Sequence, residues 1–328
     1  SVAGAQWTGV VTSIAVEMLT RGAVDAVVVV ASDPDDPLAP APTLARTPGQ
    51  VLQGRGVKPS LSPSLSVLDD VRVDSSIKKL LFCGVGCAVQ ALRAVESTLG
   101  LEELFVLGTN CVDNSPTPSA TREFLRAAGV SDIGKNESVS YEFMVDFRVH
   151  VKRSFPQGGN RDGSDELYSK TPYFCLPGTV AEVAIAKSCL ACFDYTNGLA
   201  DLVVGYMGAP LEGGELGSGG GVMTAQWQQM TVRNARGKQM LNIAQAANLL
   251  QVTTPQDYYS QLSQELDNKK DLARQRSRVM ELVKSTVEAD AIVTRLRGKN
   301  VRQNGLPRWI GEVLATVVSS IAPKGLAF

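Results

Sequence analysis

The chain has 328 residues, of which 44% are hydrophobic and 20% are charged, so it can bury a sizeable core as a globular protein. Its net charge of −1 predicts no general attraction to nucleic acid, and no apolar run reaches the roughly 18 residues that a transmembrane helix needs. The six cysteines are too sparse for a secreted disulfide scaffold, and a single histidine excludes a histidine-rich metal site.

The first half of the chain predicts alternating helices and strands. Residues 10–18 place apolar side chains at helical spacing, and residues 24–31 form an apolar run typical of a buried strand. Residues 32–66, rich in proline, serine and aspartate, predict an irregular excursion over the surface. We expect a strand, a glycine turn and a helix from Lys78 onward, and a further strand at residues 104–108.

The second half predicts a mixture of short strands and helices. We expect, in chain order, a helix at 117–129, strands at 139–151 and 173–176, a helix at 180–187, a strand at 227–232 and helices at 237–250, 255–284 and 309–322. The predicted fold class is α/β with mixed α+β character, an open sheet with flanking helices. We divide it into an α/β core at 1–208, a glycine-rich linker or insert at 209–225, and a mostly helical segment at 226–328.

The cysteines form the clearest chemical pattern. Cys189 and Cys192 stand at C-x-x-C spacing, which lets two thiolates bind one metal centre. Cys87 and Cys111, each in or beside a glycine-bearing turn, are the candidates to complete a four-thiolate set, with Cys83 as an alternative ligand. Such a set suits an iron–sulfur cluster or a structural zinc ion, and buried free cysteines are the third interpretation.

The string G-A-Q-W-T-G, which opens the first predicted helix, is a second candidate site. Free backbone amides and the positive end of a helix dipole suit a phosphate group at such a position. The candidate contacts are Gln6, Thr8, Gly9 and Thr12, and a plain helix start is the alternative interpretation.

The spacing of the residues singles out no catalytic group. Asp194, Tyr195 and His150 are candidate proton donors on chemical grounds only. His150 lies in a predicted alternating strand, where a lone histidine is typically structural.

One stretch of the chain is distinctly basic. Residues 268–302 carry ten Lys and Arg against four Asp and Glu, a local excess of +6. A solvated helix face is the usual explanation of such a stretch. Its functional interpretation is a docking surface for an acidic protein partner.

Six strings in this sequence together resemble one protein family. They are S-V-A-G-A-Q-W-T-G, L-L-F-C-G-V-G-C-A-V-Q-A-L-R, L-G-T-N-C-V-D-N, S-C-L-A-C-F-D-Y-T-N-G-L-A-D-L-V-V-G-Y-M-G, T-V-R-N-A-R-G-K-Q-M-L and P-K-G-L-A-F. Over nearly its whole length, the chain resembles the plant and cyanobacterial branch of the deazaflavin-reducing hydrogenase and dehydrogenase beta-subunit family.

The resemblance implies an oxidoreductase that contains FAD and at least one 4Fe–4S cluster and takes electrons from reduced ferredoxin. It implies that residues 1–208 bind flavin and cluster, that Cys87, Cys111, Cys189 and Cys192 hold the cluster, and that G-A-Q-W-T-G belongs to the flavin site. The family's N-terminal ferredoxin-like region, with further cysteines, has no counterpart in these residues. We therefore expect this sequence to be a fragment of a longer protein.

The resemblance also implies a chlorophyll-type tetrapyrrole as the substrate. We favour reduction of 7-hydroxymethyl chlorophyll a to chlorophyll a, with 8-vinyl reduction of divinyl (proto)chlorophyllide as the alternative. An electron-transfer subunit without its own organic substrate is an alternative of another class. We expect a chloroplast location, in the stroma or at the thylakoid, in a eukaryote and a cytoplasmic one in a cyanobacterium, and a homo-oligomer is compatible with either.

Overall fold

A computed structural model describes residues 2–135, 137–144, 146–155, 166–206, 222–254, 256–257 and 305–321. Its helices are α1 Val10–Thr20, α2 Pro48–Gln53, α3 Leu68–Val73, α4 Gly86–Val95, α5 Pro118–Ala127, α6 Val180–Ala184, α7 Lys187–Leu190, α8 Ala235–Ala246 and α9 Arg308–Ile321. Its strands are β1 Ala26–Ser32, β2 Pro40–Ala45, β3 Lys79–Val85, β4 Glu103–Thr109, β5 Ser138–Phe143, β6 Arg148–Ser154, β7 Glu166–Pro172, β8 Leu202–Gly205 and β9 Gln229–Val232. Within these ranges, every helix is too short or too polar to cross a bilayer.

A six-stranded sheet lies at the centre of the fold, in the order β2-β1-β3-β4-β8-β9. The four inner strands are parallel, whereas β2 and β9 pair antiparallel at the two edges. The parallel strands read as continuous apolar runs because helices cover both faces of the sheet. The predicted open sheet with flanking helices is therefore confirmed.

Alternate residues of each inner strand enter two separate hydrophobic layers. In β1, Val27 and Val29 pack with apolar residues of α1, α2 and α8 on one face. Ala26 and Val28 pack with α3 and α4 on the other face. This alternation follows from the two-residue period of a strand, which directs successive side chains to opposite faces.

A smaller antiparallel sheet, β5-β6-β7, packs beside the main sheet. Val139, Val149 and Val151 form its core with Phe124 and other apolar residues of α5 and α6. A separate apolar cluster joins this sheet to the start of the chain and contains Trp7, Met144 and Met223, with Tyr168 and Tyr206 packed against it. The opening loop is thereby fixed against the small sheet.

Several predicted elements differ from the structure. The prediction of an irregular segment at 32–66 is wrong in part, because it contains β2 and α2, and α2 begins with a capping box made by Thr47 and Gln50. The predicted strand at 139–151 is two strands, β5 and β6, separated by a turn in which Phe147 has a φ of 59°. Residues 173–175 form a 3₁₀ turn, and the third strand of this sheet, β7, precedes them.

Some predictions concern parts of the chain that the structure leaves undescribed. The basic stretch at 268–302, most of the linker at 209–225, and most of the predicted helix at 255–284 lie outside the described residues. The division into three segments stays a prediction. In the described part of the last segment, β9 and α8 complete the main sheet and one of its hydrophobic layers.

Asp201, just before β8, links four elements of the main sheet and its flanking helices through hydrogen bonds. One carboxylate oxygen accepts the backbone N–H of Val106 at 2.7 Å. The other accepts Arg93 Nη2 at 2.9 Å and Asn234 Nδ2 at 2.7 Å. Only 1% of the Asp201 side chain is exposed, so these three donors replace the water that the charge would otherwise hold.

We therefore expect Asp201→Ala to lower the free energy of unfolding by about 3 kcal/mol, because it leaves Arg93 and the Val106 N–H without their buried acceptor. Urea unfolding followed by circular dichroism measures the change. Asp69→Ala is the matched control, since its ion pair with Arg72 is largely exposed and should contribute no more than about 0.5 kcal/mol. Equal losses in both variants would contradict the role given to Asp201.

Candidate functional site

Asn197 fixes the carboxyl ends of two neighbouring parallel strands, β3 and β4. Its side-chain Nδ2 donates hydrogen bonds to the carbonyl oxygens of Gly84, at 2.9 Å, and Thr109, at 3.3 Å. The residue is fully buried and has a φ of 54°, a left-handed conformation that asparagine tolerates better than most residues. The segments that follow the two strands carry Cys87 and Cys111, so both cysteines leave from the same edge of the sheet.

Asp194 holds the C-x-x-C loop against the beginning of α4. Its carboxylate accepts Gln90 Nε2 at 2.7 Å and the backbone N–H of Gly198 at 2.8 Å. The approach is close enough that a Cβ atom on Gly86 would lie 2.7 Å from an Asp194 carboxylate oxygen. This predicted proton donor is thus engaged in positioning the loop.

The loop after β4 and the C-x-x-C loop are also joined through their backbones. The N–H of Cys111 donates to the carbonyl of Tyr195 at 3.3 Å, and the N–H of Ala186 donates to the carbonyl of Asn114 at 2.9 Å. The Sγ of Cys189 lies 3.8 Å from the same Asn114 oxygen. These contacts bring the C-x-x-C pair beside Cys111.

The four predicted thiol ligands share one electrostatic environment. Burial raises the pKa of Cys111 to about 12, and the charges of Cys189, Cys87 and Cys192 raise it in turn. Burial also raises the pKa of Cys189, with a further contribution from Cys87. Cys111 therefore lies within electrostatic range of the other three thiols, and a bound metal centre would offset the cost of holding their thiolates together.

The remaining two cysteines lie elsewhere. Cys83 packs against the hydrophobic layer of α1 and α8, and burial raises its thiol pKa to about 12. Cys175 contacts α9, with its Sγ 3.9 Å from the carbonyl of Arg308. In the described parts of the chain, no three His, Cys, Asp or Glu side chains converge as they would around one metal ion.

The opening loop brings together the four residues predicted at the flavin site. Gly9 precedes α1 with a φ of 86°, and a Cβ there would lie 2.5 Å from Val2 Cβ, so only glycine fits. Thr8 donates its hydroxyl to Gln228 Oε1 at 2.9 Å, and Thr12 lies in the first turn of α1. Gln6 is buried, and its Oε1 atom lacks a hydrogen-bond donor among the described residues. A polar ligand group that donates a hydrogen bond would satisfy this atom.

Two cations that the sequence did not single out lie beside this loop. A Cβ on Gly4 would stand 2.6 Å from Arg55 Nε, so the guanidinium packs directly over the loop. Lys58 Nζ donates to the carbonyls of Arg55, at 2.9 Å, and Gly56, at 3.1 Å. Burial, with the neighbouring Arg55 charge, lowers the Lys58 pKa to about 7. Neither cation pairs with a carboxylate of the described residues, so the pair fits an anionic ligand.

Glu142 lies on the inner side of the same loop. Its Oε2 atom accepts Gln6 Nε2 at 3.2 Å, and its Oε1 atom accepts the backbone N–H of Phe143 at 3.3 Å, while the Tyr206 hydroxyl donates to the Phe143 carbonyl at 2.6 Å. The rings of Trp7 and Tyr206 stack at a centroid distance of 4.9 Å. Burial raises the pKa of Glu142 to about 7, and the hydrogen bonds that its carboxylate accepts only partly oppose this shift. Nothing in the alternating strand pattern around Glu142 distinguished it from a surface acid.

The other two predicted proton donors lie apart from these contacts. His150 is fully buried in β6, with Nδ1 2.7 Å from the Tyr168 hydroxyl and Nε2 2.9 Å from an Asp146 oxygen. Both of its ring nitrogens are thus occupied within the small sheet. Tyr195 supports Cys111 through its backbone, while 41% of the residue is exposed to solvent.

Comparison with known proteins identifies relatives of this chain. A protein of Oryza sativa subsp. japonica named 7-hydroxymethyl chlorophyll a reductase, chloroplastic, is 48% identical over all 328 residues, and the chain spans 60% of its length. An uncharacterized protein of Nostoc sp. PCC 7120 is 41% identical over the same 328 residues, which cover 68% of that protein.

A solved structure has the same fold. One chain of the F420-reducing [NiFe] hydrogenase complex from Methanosarcina barkeri superimposes with a TM-score of 0.59 at 21% identity, over 93% of this chain and 90% of that one. Two family profiles, described as the N-terminal and the C-terminal parts of the coenzyme F420 hydrogenase/dehydrogenase beta subunit, match residues 1–69 and 77–258 respectively. The resemblance seen in the sequence is therefore confirmed, and the chain belongs to the coenzyme F420 hydrogenase/dehydrogenase beta-subunit family.

Proposed function

We propose that this chain is the flavin- and cluster-binding part of a ferredoxin-dependent reductase of a chlorophyll-type pigment. The favoured reaction is reduction of 7-hydroxymethyl chlorophyll a to chlorophyll a. The observation that carries the proposal is the grouping of four thiols at one edge of the sheet, in a chain 48% identical to the rice reductase. Because the chain spans 60% of that relative, the activity belongs to the longer protein.

Cys87, Cys111, Cys189 and Cys192 are the residues that would hold a 4Fe–4S cluster. In a zinc site all four sulfurs lie about 2.3 Å from one ion, whereas a cluster takes one thiolate on each iron. When bound, the cluster and FAD would supply single-electron storage and hydride transfer.

The opening loop would hold the FAD. Gln6, Thr8, Gly9 and Thr12 line the start of α1, where free backbone amides favour a diphosphate. Arg55 and Lys58 add positive charge that no carboxylate of the described residues neutralises. Glu142 bonds to Gln6 of this loop, and its charged form would raise the pKa of Cys111 in the proposed ligand set.

Two other functions are the alternatives to this reaction. Reduction of an 8-vinyl group of divinyl (proto)chlorophyllide needs the same two electrons and the same cofactors. An electron-transfer protein without an organic substrate is favoured by the family description, which names a beta subunit of a hydrogenase and dehydrogenase. A chloroplast location is proposed from the name of the rice relative, and a cyanobacterial cytoplasm is the alternative, from the Nostoc relative.

The thiol set is tested by serine substitution in the full-length protein. Cys189→Ser should remove most of the visible absorbance of one cluster and its iron, about four atoms per chain. Cys175→Ser is the control and should retain both, because Cys175 lies at α9, apart from the grouped thiols. Absorption spectra and metal analysis measure the two effects. A colourless native protein that contains zinc would contradict the cluster.

The flavin site is tested by removing the two unpaired cations. Arg55→Ala together with Lys58→Ala should weaken FAD binding by about 10-fold or more, because each contributes a charge-assisted contact to the diphosphate. Lys135→Ala is the control, since Lys135 forms an exposed ion pair with Asp35. Flavin fluorescence during reconstitution gives both affinities. Unchanged retention in the double variant would place the diphosphate elsewhere.

The substrate is tested by supplying reduced ferredoxin with each pigment in turn to the full-length protein. We expect conversion of 7-hydroxymethyl chlorophyll a to chlorophyll a, and chromatography of the products measures this conversion. Conversion of the divinyl pigment alone would reverse the choice of substrate. Reduction of the protein without conversion of either pigment would favour the electron-transfer role.

A further inference from the structure

One face of β6 buries three ionisable side chains. Val149 and Val151 enter the core formed with α5 and α6, so the alternating residues Arg148, His150 and Lys152 point to the opposite face. Each of these three is at most 4% exposed. The first two contact the same carboxylate of the small sheet, whereas Lys152 reaches across to the opening loop.

The Lys152 ammonium joins β6 to the opening loop. Its Nζ atom donates a hydrogen bond to the carbonyl oxygen of Ala5 and lies 3.2 Å from Glu166 Oε1. The Glu166 side chain is 46% exposed, whereas that of Lys152 is 2% exposed, so water screens the acid more than the cation. An ammonium is compact and strongly hydrated, and its burial is costly without acceptors. The bond to Ala5 is therefore a major compensation for burying this charge.

This bond fixes the direction of the peptide group between Ala5 and Gln6. The C=O and N–H groups of a trans peptide point in opposite directions, so the Gln6 N–H points away from the ammonium. In the described part of the chain, no backbone carbonyl accepts this N–H or those of Trp7, Thr8 and Gly9. A row of free amides at the start of a helix suits an anion, and a cation on the carbonyl side strengthens the first donor by polarising the peptide.

Lys152 also lies close to the turn that carries the other two cations. Its partner across the β5–β6 pair is Ser140. A Cβ atom on Gly56 would lie 3.7 Å from Ser140 Oγ, so this turn, with Arg55 and Lys58 on either side of the glycine, packs against the same part of the small sheet. The opening loop is thus surrounded by positive charge from two separate elements.

We propose that Lys152 is a positioning residue of the proposed flavin site. This inference rests on the proposed function. By holding the Ala5 carbonyl, Lys152 keeps that oxygen away from the flavin diphosphate and leaves the following N–H groups free to bind it. Without this bond the peptide can rotate and turn a carbonyl oxygen toward the anion, which repels it. Lys152 contacts the loop, while Arg55 and Lys58 supply the direct cationic contacts.

The test measures FAD affinity in the full-length protein by flavin fluorescence after removal of the bound flavin. Lys152→Met should weaken FAD binding by about 10-fold, because the bond to Ala5 is charge-assisted. Lys152→Arg should recover most of this loss, since a guanidinium also donates to a carbonyl. Arg153→Met is the matched control on the same strand. Arg153 pairs with Glu137 on the other face, with Nη2 2.8 Å from Oε2, so this variant should lower Tm and keep the native FAD affinity.

Glu166→Gln distinguishes positioning of the loop from an ordinary ion pair. This variant removes the counter-charge but keeps the ammonium and its bond to Ala5, so FAD affinity should stay within about twofold of native. If Lys152 mattered only as the partner of Glu166, both substitutions would weaken FAD equally.

Amide hydrogen exchange measures the loop without turnover. In the flavin-free protein, Lys152→Met should speed exchange in the peptide covering residues 2–9 by several-fold, because the loop loses its anchor on β6. Bound FAD should slow exchange in the same peptide of the native protein, whose amides are free to bind it.

The outcomes separate this inference from the proposed function. Native FAD affinity or unchanged exchange in Lys152→Met would overturn the role of Lys152 and leave the flavin site in place. A 10-fold loss of affinity in Arg153→Met or Glu166→Gln would also overturn it, and the Glu166→Gln result holds even where Lys152→Met does not fold. A native protein that binds no FAD, or in which FAD leaves the exchange of residues 2–9 unchanged, would overturn the proposed flavin site and this inference together.

Discussion

The candidate site depends on the amide of Asn197. A parallel sheet delivers every strand's carboxyl end to one edge, but the loops that leave that edge have no hydrogen-bond partner from the sheet itself. Asn197 donates to a carbonyl one residue before the end of β3 and to the last carbonyl of β4, from a segment that also carries the C-x-x-C pair. One side chain therefore fixes the relative position of three loops. The packing is tight, since a Cβ on Gly108 would lie 2.5 Å from the same amide nitrogen.

The small sheet forms the apolar side of the candidate site. The aromatic and methionine side chains of Trp7, Met144 and Met223 form an apolar cluster between the opening loop and β5. This cluster packs beside Glu142, whose carboxyl group is oriented by the Gln6 side chain and the backbone N–H of Phe143. The Glu142 carboxyl group thus lies among apolar side chains, where a single uncompensated charge has a large electrostatic energy. The main sheet positions the cysteine thiols, and the small sheet provides the surroundings of the Glu142 carboxyl group.

The sequence predicted those features that local patterns specify. Valine runs predicted β1, whereas the four-thiol ligand set stays a prediction made from the C-x-x-C spacing and two glycine-turn cysteines. The strand period also explains Cys83, which follows Leu81 by two residues and so enters the same hydrophobic layer. The sequence did not single out Glu142, Arg55 or Lys58, because the residues that surround them come from distant segments of the chain. Burial of a charge and the absence of its partner are tertiary properties that spacing does not encode.

The edge strand β2 has a consequence for self-association. Its sequence, P-A-P-T-L-A, pairs antiparallel with β1, and Pro40 and Pro42 lie two residues apart. Proline has no N–H group and is tolerated in a sheet only where that donor would point away from the neighbouring strand. Both prolines therefore remove donors from the outer side of the sheet. A strand from another molecule would find too few partners to extend it, so this edge resists continuous intermolecular sheets and the aggregation that they nucleate.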